Sequence, residues 1–364
     1  MKYKNKNKAI LLLEDGTVFH GKSIGFSGTK GGEICFNTGM TGYQEVYTDP
    51  SYYGQIMVNT NAHIGNYGVH PEESESDSPK IFGVVINAFS DDYSRGQAVD
   101  NLNNYLVGHE IPGICDVDTR KIVRHIRNKG AMNAIISSEI SDLEELQKEL
   151  DKVPSMEGLE LSSFVSTKEA YEIGTDDGIK LAVLDYGIKS SILKQLVDRG
   201  FRCKVFPSDT DFQDTEGWNP QAYFLSNGPG DPAVMTNAIN NSKQIIESGK
   251  PLFGICLGHQ LIALANGIKT FKMHNGHRGL NQPVFNKESG KSEVTSQNHG
   301  FSVVTEDVEN SDLVVSTHIN LNDNTVEGLR MKDKKVFSVQ YHPESSPGPH
   351  DSRYLFDQFI SLIN

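Results

Sequence analysis

At 364 residues the chain is long enough for two domains. Its 47 acidic side chains outnumber 34 basic ones, and the net charge of -13 argues against nucleic acid, because a phosphate backbone rewards basic surfaces. Hydrophobic and charged shares of 37% and 22% fit a folded globular chain, and no apolar run approaches the roughly 18 residues that a membrane span needs.

The start, "MKYKNKNKAILLLEDG", is lysine-rich, but its apolar run covers only Ala9 to Leu13. That is shorter than the roughly 7–15 residues of a secretory h-region, so it reads as a solvated tail before a first strand. Residues 9–26 read as a hairpin around Asp15-Gly16-Thr17. Short strands follow at "EICFN" and "IFGVVI". The acidic segment "HPEESESDSPK" (70–80) has no periodicity and is expected as an exposed loop. "SDLEELQKEL" (141–150) predicts a surface helix capped by Ser141 or Asp142, with leucines at 143, 146 and 150. Periodicity fades over 151–178, which places a domain at 1–152, a linker at 153–178 and a second domain at 179–364.

From 179 the texture becomes strand, turn, helix. "KLAVLDYG", "FRCKVFP", "AYFLS" and "PLFGI" read as strands; helices are predicted in "SSILKQLVDRG", across 233–248, and from Leu257 to a stop at Gly267. The alternation predicts an α/β domain with a doubly wound, mostly parallel sheet covered on both faces. Ligands bind such sheets beyond the carboxyl ends of the strands.

Four cysteines without a C-x-x-C pair, Cys35, Cys115, Cys203 and Cys256, fit a reducing, cytoplasmic compartment rather than a disulfide framework. Cys35 and Cys203 lie in strand-like runs and read as small buried hydrophobes; Cys115 stays open. Cys256 is different. In "PLFGICLGHQL" it falls at a strand-to-helix corner between Gly254 and Gly258. Such a corner holds a nucleophile in strained geometry with its side chain exposed, and the nearby helix N-terminus favours thiolate. A cysteine merely packing at a strand end fits this stretch equally well. "VFSVQYHPE" is a further strand, ending in His342-Pro343-Glu344. On extended backbone His342 and Glu344 project to one side, so Glu344 can bind one ring nitrogen while the other faces the sulfur. "LSNGPGDP" adds Gly228 and Gly230, whose N–H groups could hold an oxyanion together with that of Leu257.

Together, "NGPGDP", "GICLGHQL" and "HPE" resemble the class I, triad-type glutamine amidotransferases. "QNHGF", "GHRGLNQPV", "HPESSPGPHD" and an N-terminal half with "FNTGMTGYQEVYTDPSYYGQI" narrow the resemblance to the small, glutaminase chains of carbamoyl phosphate synthetases. That resemblance implies a β/β/α N-terminal domain before the doubly wound one. It makes Cys256 the nucleophile, His342 the general base and acid, and Glu344 its orienter. It places Ser51, Gly228, Gly230, Leu257, Gln260, Asn298, Gly300 and Phe301 at the glutamine. It implies a hetero-oligomer with a large synthetase subunit that binds ATP and magnesium, no cofactor in this chain, and a role in pyrimidine or arginine synthesis. A glutaminase serving another synthase, such as those for anthranilate or GMP, and a regulatory glutamine-binding module with a dead site are the alternatives; the N-terminal half disfavours the first and the intact triad the second. Without the resemblance, Gln260 and Asn298 read equally as caps or amides satisfying the core. Two loop imidazoles, His274 and His277, are too few partners for a metal, so none is expected.

Overall fold

The computed structural model describes residues 6–363. The start of the expected solvated tail, residues 1–5, lies outside the described residues. The chain divides into two compact units between Met156 and Glu157.

In the N-terminal unit the predicted hairpin forms: Lys8–Leu13 pairs with Val18–Gly25, and Gly16 takes φ 82 in the turn. The first strand has no polar alternation because both of its faces are covered. Leu11 and Leu13 point into one core, while Ile10 and Leu12 meet Leu146 and Leu150 of the helix Leu143–Leu150. The expected cap holds, with Asp142 accepting from the N–H groups of Glu144 and Glu145. Seven strands hydrogen-bond in a closed ring: Lys8–Leu13, Val18–Gly25, Pro112–Cys115, Gly83–Val85, Gln55–Asn59, Thr29–Asn37 and Met132–Ser137. Strands and helices are thus combined as expected, with the added feature that the strands close on themselves. Cys35, Cys115 and Cys203 are all buried and none is in a disulfide, so Cys115 reads as a packing residue. The segment 70–80 differs from the expected exposed loop. It is mostly half-buried, because Glu75 N–H donates to Thr48 Oγ1 and Ser76 Oγ to the Thr48 carbonyl, tying it to the helix Tyr43–Thr48.

The C-terminal unit is built on a ten-stranded sheet. Five neighbouring strands run parallel, in the order Phe201–Phe206, Ile179–Leu184, Ala222–Leu225, Leu252–Ile255 and Val336–Val339. Helices cover both faces. Thr236–Ser248 and Leu257–Ala265 close one core, with Ile245, Leu257, Leu261 and Ile262. Ser190–Val197 and Tyr354–Ile363 close the other, with Ile192, Leu196, Phe356 and Phe359. Between the last two parallel strands the chain makes an antiparallel excursion of four strands, Thr270–Asn286, Lys291–Val303, Val314–Asn320 and Val326–Met331. The segment read as a linker carries structure: Tyr171–Ile173 adds a strand to the sheet edge, and Ser162–Val165 is a helical turn.

Candidate active site

Four neighbouring parallel strands deliver the candidate groups at their carboxyl ends. Ile179–Leu184 leads to Lys189, Ala222–Leu225 to Gly228, Leu252–Ile255 to Cys256, and Val336–Val339 to His342. Backbone hydrogen bonds stitch these turns together. Cys256 N–H donates to the Val339 carbonyl at 2.9 Å, Gly258 N–H to Ser226 at 3.0 Å, and His342 N–H to Ser296 at 2.8 Å.

Cys256 sits at φ 54, ψ -102, a conformation that costs an L-residue about 1–3 kcal/mol unless its surroundings impose it. The surroundings are the two glycines. A Cβ on Gly258 would stand 2.2 Å from the Leu225 carbonyl oxygen, and one on Gly254 would stand 2.7 Å from the Gly258 carbonyl oxygen. Only bare backbone lets this helix start so close to the strands. The expected exposure of the side chain is not found: Cys256 is 3% exposed. The reason is the strand Lys291–Val303, which crosses above it, so that the sulfur lies 3.7 Å from the Asn298 carbonyl.

His342 is also buried. Its Nδ1 lies 2.8 Å from Glu344 Oε1, the i, i+2 pairing that extended backbone predicts. Burial works against a charged ring here, but the Glu344 carboxylate and the Cys256 sulfur together raise its pKa to about 10. Cys256 and His342 follow adjacent parallel strands, Leu252–Ile255 and Val336–Val339, and His342 Nε2 makes no hydrogen bond of its own among the described residues. Burial likewise opposes ionisation of Glu344, and Lys189 and His342 overcome it, lowering its pKa to about 2.

Lys189 is the residue that sequence reading missed. Its ammonium is buried, 2.8 Å from Glu344 Oε1 and 2.7 Å from the Ser346 carbonyl. Asp185 aims it: one carboxylate oxygen accepts the N–H groups of Gly187 and Ile188 at 2.8 Å each, turning the chain inward after the strand. The only available signal was its place at the end of a parallel strand.

The other expected positions divide. Gly228 abuts Leu257, since a Cβ on it would come 2.8 Å from Leu257 Cδ2. Leu257 opens its helix, so its N–H has no carbonyl one turn back. Gly230 has φ 95 and packs against the backbone of Leu159 and Leu161. Gln260 is buried and donates to the Phe301 carbonyl at 2.9 Å and to Gln340 Oε1 at 3.0 Å. Asn298, Gly300 and Phe301 lie along the covering strand. Ser51 belongs to the N-terminal unit, on the turn Pro50–Tyr52, where its N–H donates to Asp49. His274 is exposed, whereas His277 turns inward toward His299 and Glu327.

A cysteine on a strained corner at the carboxyl edge of a parallel sheet, beside a carboxylate-bound histidine, defines the class. The glutamine amidotransferase class-I family model matches residues 182–362. The model for the carbamoyl-phosphate synthase small chain, CPSase domain, matches residues 11–136. The "Carbamoyl phosphate synthase small chain" of Synechococcus sp. is 46% identical over 376 residues, spanning 100% of this chain and 95% of that one. Those of Syntrophotalea carbinolica and Nostoc sp. are 47% and 46% identical, with 98% and 97% of this chain matched to 98% and 94% of theirs. The chain belongs to the carbamoyl phosphate synthase small chain family. Among the described residues, no helix is long and apolar enough to cross a membrane.

Proposed function

We propose that this chain hydrolyses L-glutamine and delivers the ammonia to a large synthetase subunit, in the cytoplasm. That subunit would make carbamoyl phosphate from bicarbonate with ATP and magnesium, this chain holding no cofactor. The observation that carries the reading is the union of Cys256 at its forced corner with His342 on Glu344. The sulfur, as thiolate, attacks the side-chain amide carbon of glutamine. The oxyanion is held by the N–H groups of Gly228 and Leu257, each such donor typically worth about 2.7–4 kcal/mol. His342, held as imidazolium at neutral pH, gives its proton to the departing nitrogen, the C–N bond breaks, and ammonia leaves a γ-glutamyl thioester. The neutral ring then takes a proton from water, whose oxygen attacks the thioester and releases glutamate. Gly230, Gln260, Asn298, Gly300, Phe301 and Ser51 are assigned to holding the substrate.

The test is Cys256→Ser in the complex with the large subunit. Glutamine-dependent synthesis should vanish while ammonia-dependent synthesis continues. Persistence of glutamine use would remove Cys256 from the mechanism.

A further inference from the structure

Within the four-strand excursion, two imidazoles and two carboxylates meet outside the reacting set. His277, on Thr270–Asn286, stands opposite His299 on Lys291–Val303, their rings edge to face at 5.0 Å. Glu327, on Val326–Met331, is fully buried. His277 Nδ1 lies 3.2 Å from Glu327 Oε1, and its Nε2 lies 2.8 Å from Asp323 Oδ2. A carboxylate at each nitrogen favours the doubly protonated, cationic ring, and Asn320 Nδ2 also lies 3.3 Å from Nδ1. Burial opposes that charge, and Asp323 and Glu327 more than offset it. Asn320 Nδ2 completes the clamp, donating to the same Glu327 oxygen at 3.0 Å.

His299 is held in turn. Its Nδ1 lies 2.8 Å from the Phe301 carbonyl, which makes Nδ1 the protonated nitrogen. That same carbonyl accepts from Gln260 Nε2. The residue before His299 is Asn298, whose carbonyl faces the Cys256 sulfur. An unbroken series of contacts therefore runs from Asp323 through His277 and His299 to the carbonyl of Phe301 and the amide of Gln260. A buried ion pair is a poor way to add stability, since apolar groups of like volume often serve as well or better. What it does supply is a fixed ring orientation.

We propose that His277 is a positioning residue for glutamine: clamped between Asp323 and Glu327, it fixes the His299 ring and, through it, the stretch from Asn298 to Phe301 that lies over the nucleophile. The proposal rests on the glutaminase reading above.

The test is steady-state glutamine hydrolysis by the complex with the synthetase subunit, comparing His277→Gln with the parent. KM for glutamine should rise by about tenfold or more while kcat changes less than about threefold. Alkylation of Cys256 by iodoacetamide without glutamine should quicken, because the stretch that His277 holds is what covers the sulfur; an unchanged rate would count against the proposal. An unchanged KM, or a fall in kcat at constant KM, would overturn the proposal. If His277→Gln does not fold, Asp323→Asn addresses the same ring from its more exposed side and should still raise KM by about threefold; no rise overturns the idea. The ligating atoms of His277, His299 and Glu327 lie within 4.8 Å of one another. One equivalent of divalent metal retained by the purified chain would show a coordination site in place of an ion-pair clamp and would also overturn it. Failure of the glutaminase reading shows separately, as glutamine use surviving Cys256→Ser.

Discussion

Replacing Lys189 by methionine keeps the volume of the stem and deletes the ammonium. The ammonium lies 2.8 Å from Glu344 Oε1, with the two side chains 4% and 0% exposed. Removing one member of a buried pair costs about 3–5 kcal/mol, and His342, which stays on Glu344, places this case toward the lower figure. The Ser346 carbonyl loses its donor in the same step. For a unit of this size each kcal/mol lowers the melting temperature by about 2–4 °C, so Lys189→Met should melt roughly 6–20 °C below the parent. The chemistry should shift as well. Lys189 helps hold Glu344 ionised against burial, so its loss raises the carboxyl pKa and moves the acid limb of the glutaminase pH profile to higher pH. Calorimetry of the full chain and a pH–rate profile of the complex read the two effects. Lys194→Met, at an exposed ion pair with Asp198, is the control and should melt almost as the parent does. A Lys189→Met protein melting within about 2 °C of the parent, with an unmoved acid limb, would refute the reasoning.

Gly258→Ala drives a methyl toward the Leu225 carbonyl oxygen, 2.2 Å from the ideal Cβ, so the helix behind Cys256 must retreat; glutamine hydrolysis should fall by more than about a hundredfold, and parental kinetics would show that the corner tolerates bulk. His342 and His277, raised to about 10 and about 9, bind more protons folded than unfolded. Their contribution to stability is complete below about pH 6.5 and is lost as pH rises through 9 and 10. The urea midpoint should therefore drop between pH 7 and pH 10, and the drop should shrink in His277→Gln; equal drops in both proteins would exclude His277 as a source.

The Cys256 corner was legible because its constraints are local. A short apolar run, flanking glycines and a helical period encode the turn within about ten residues, and His342 with Glu344 needs only three. The burial of Cys256 was not legible, since the strand that covers it lies some forty residues further on and approaches through tertiary pairing. Lys189 was invisible for a related reason. In "DYGIKSS" it reads as an ordinary solvated lysine, and its partner Glu344 is 155 positions away. The four-strand excursion escaped assignment because its strands mix charged, amide and apolar side chains: Gln297, Asn298 and His299 are buried side by side, with Gln297 bonded to Thr295 and His299 of the same strand, which blurs the two-residue alternation. Segment 70–80 was misjudged because its acidity suggested water, whereas its main chain is claimed by Thr48.

The excursion leaves the parallel sheet after the helix that follows Cys256 and returns as the very next strand, the one that carries His342. Its length therefore has no bearing on how far the sulfur stands from the imidazole; that separation is a property of two adjacent rungs. The excursion acts as an interchangeable roof. Lengthening or trimming that roof would leave the spacing of the two rungs beneath it as it was.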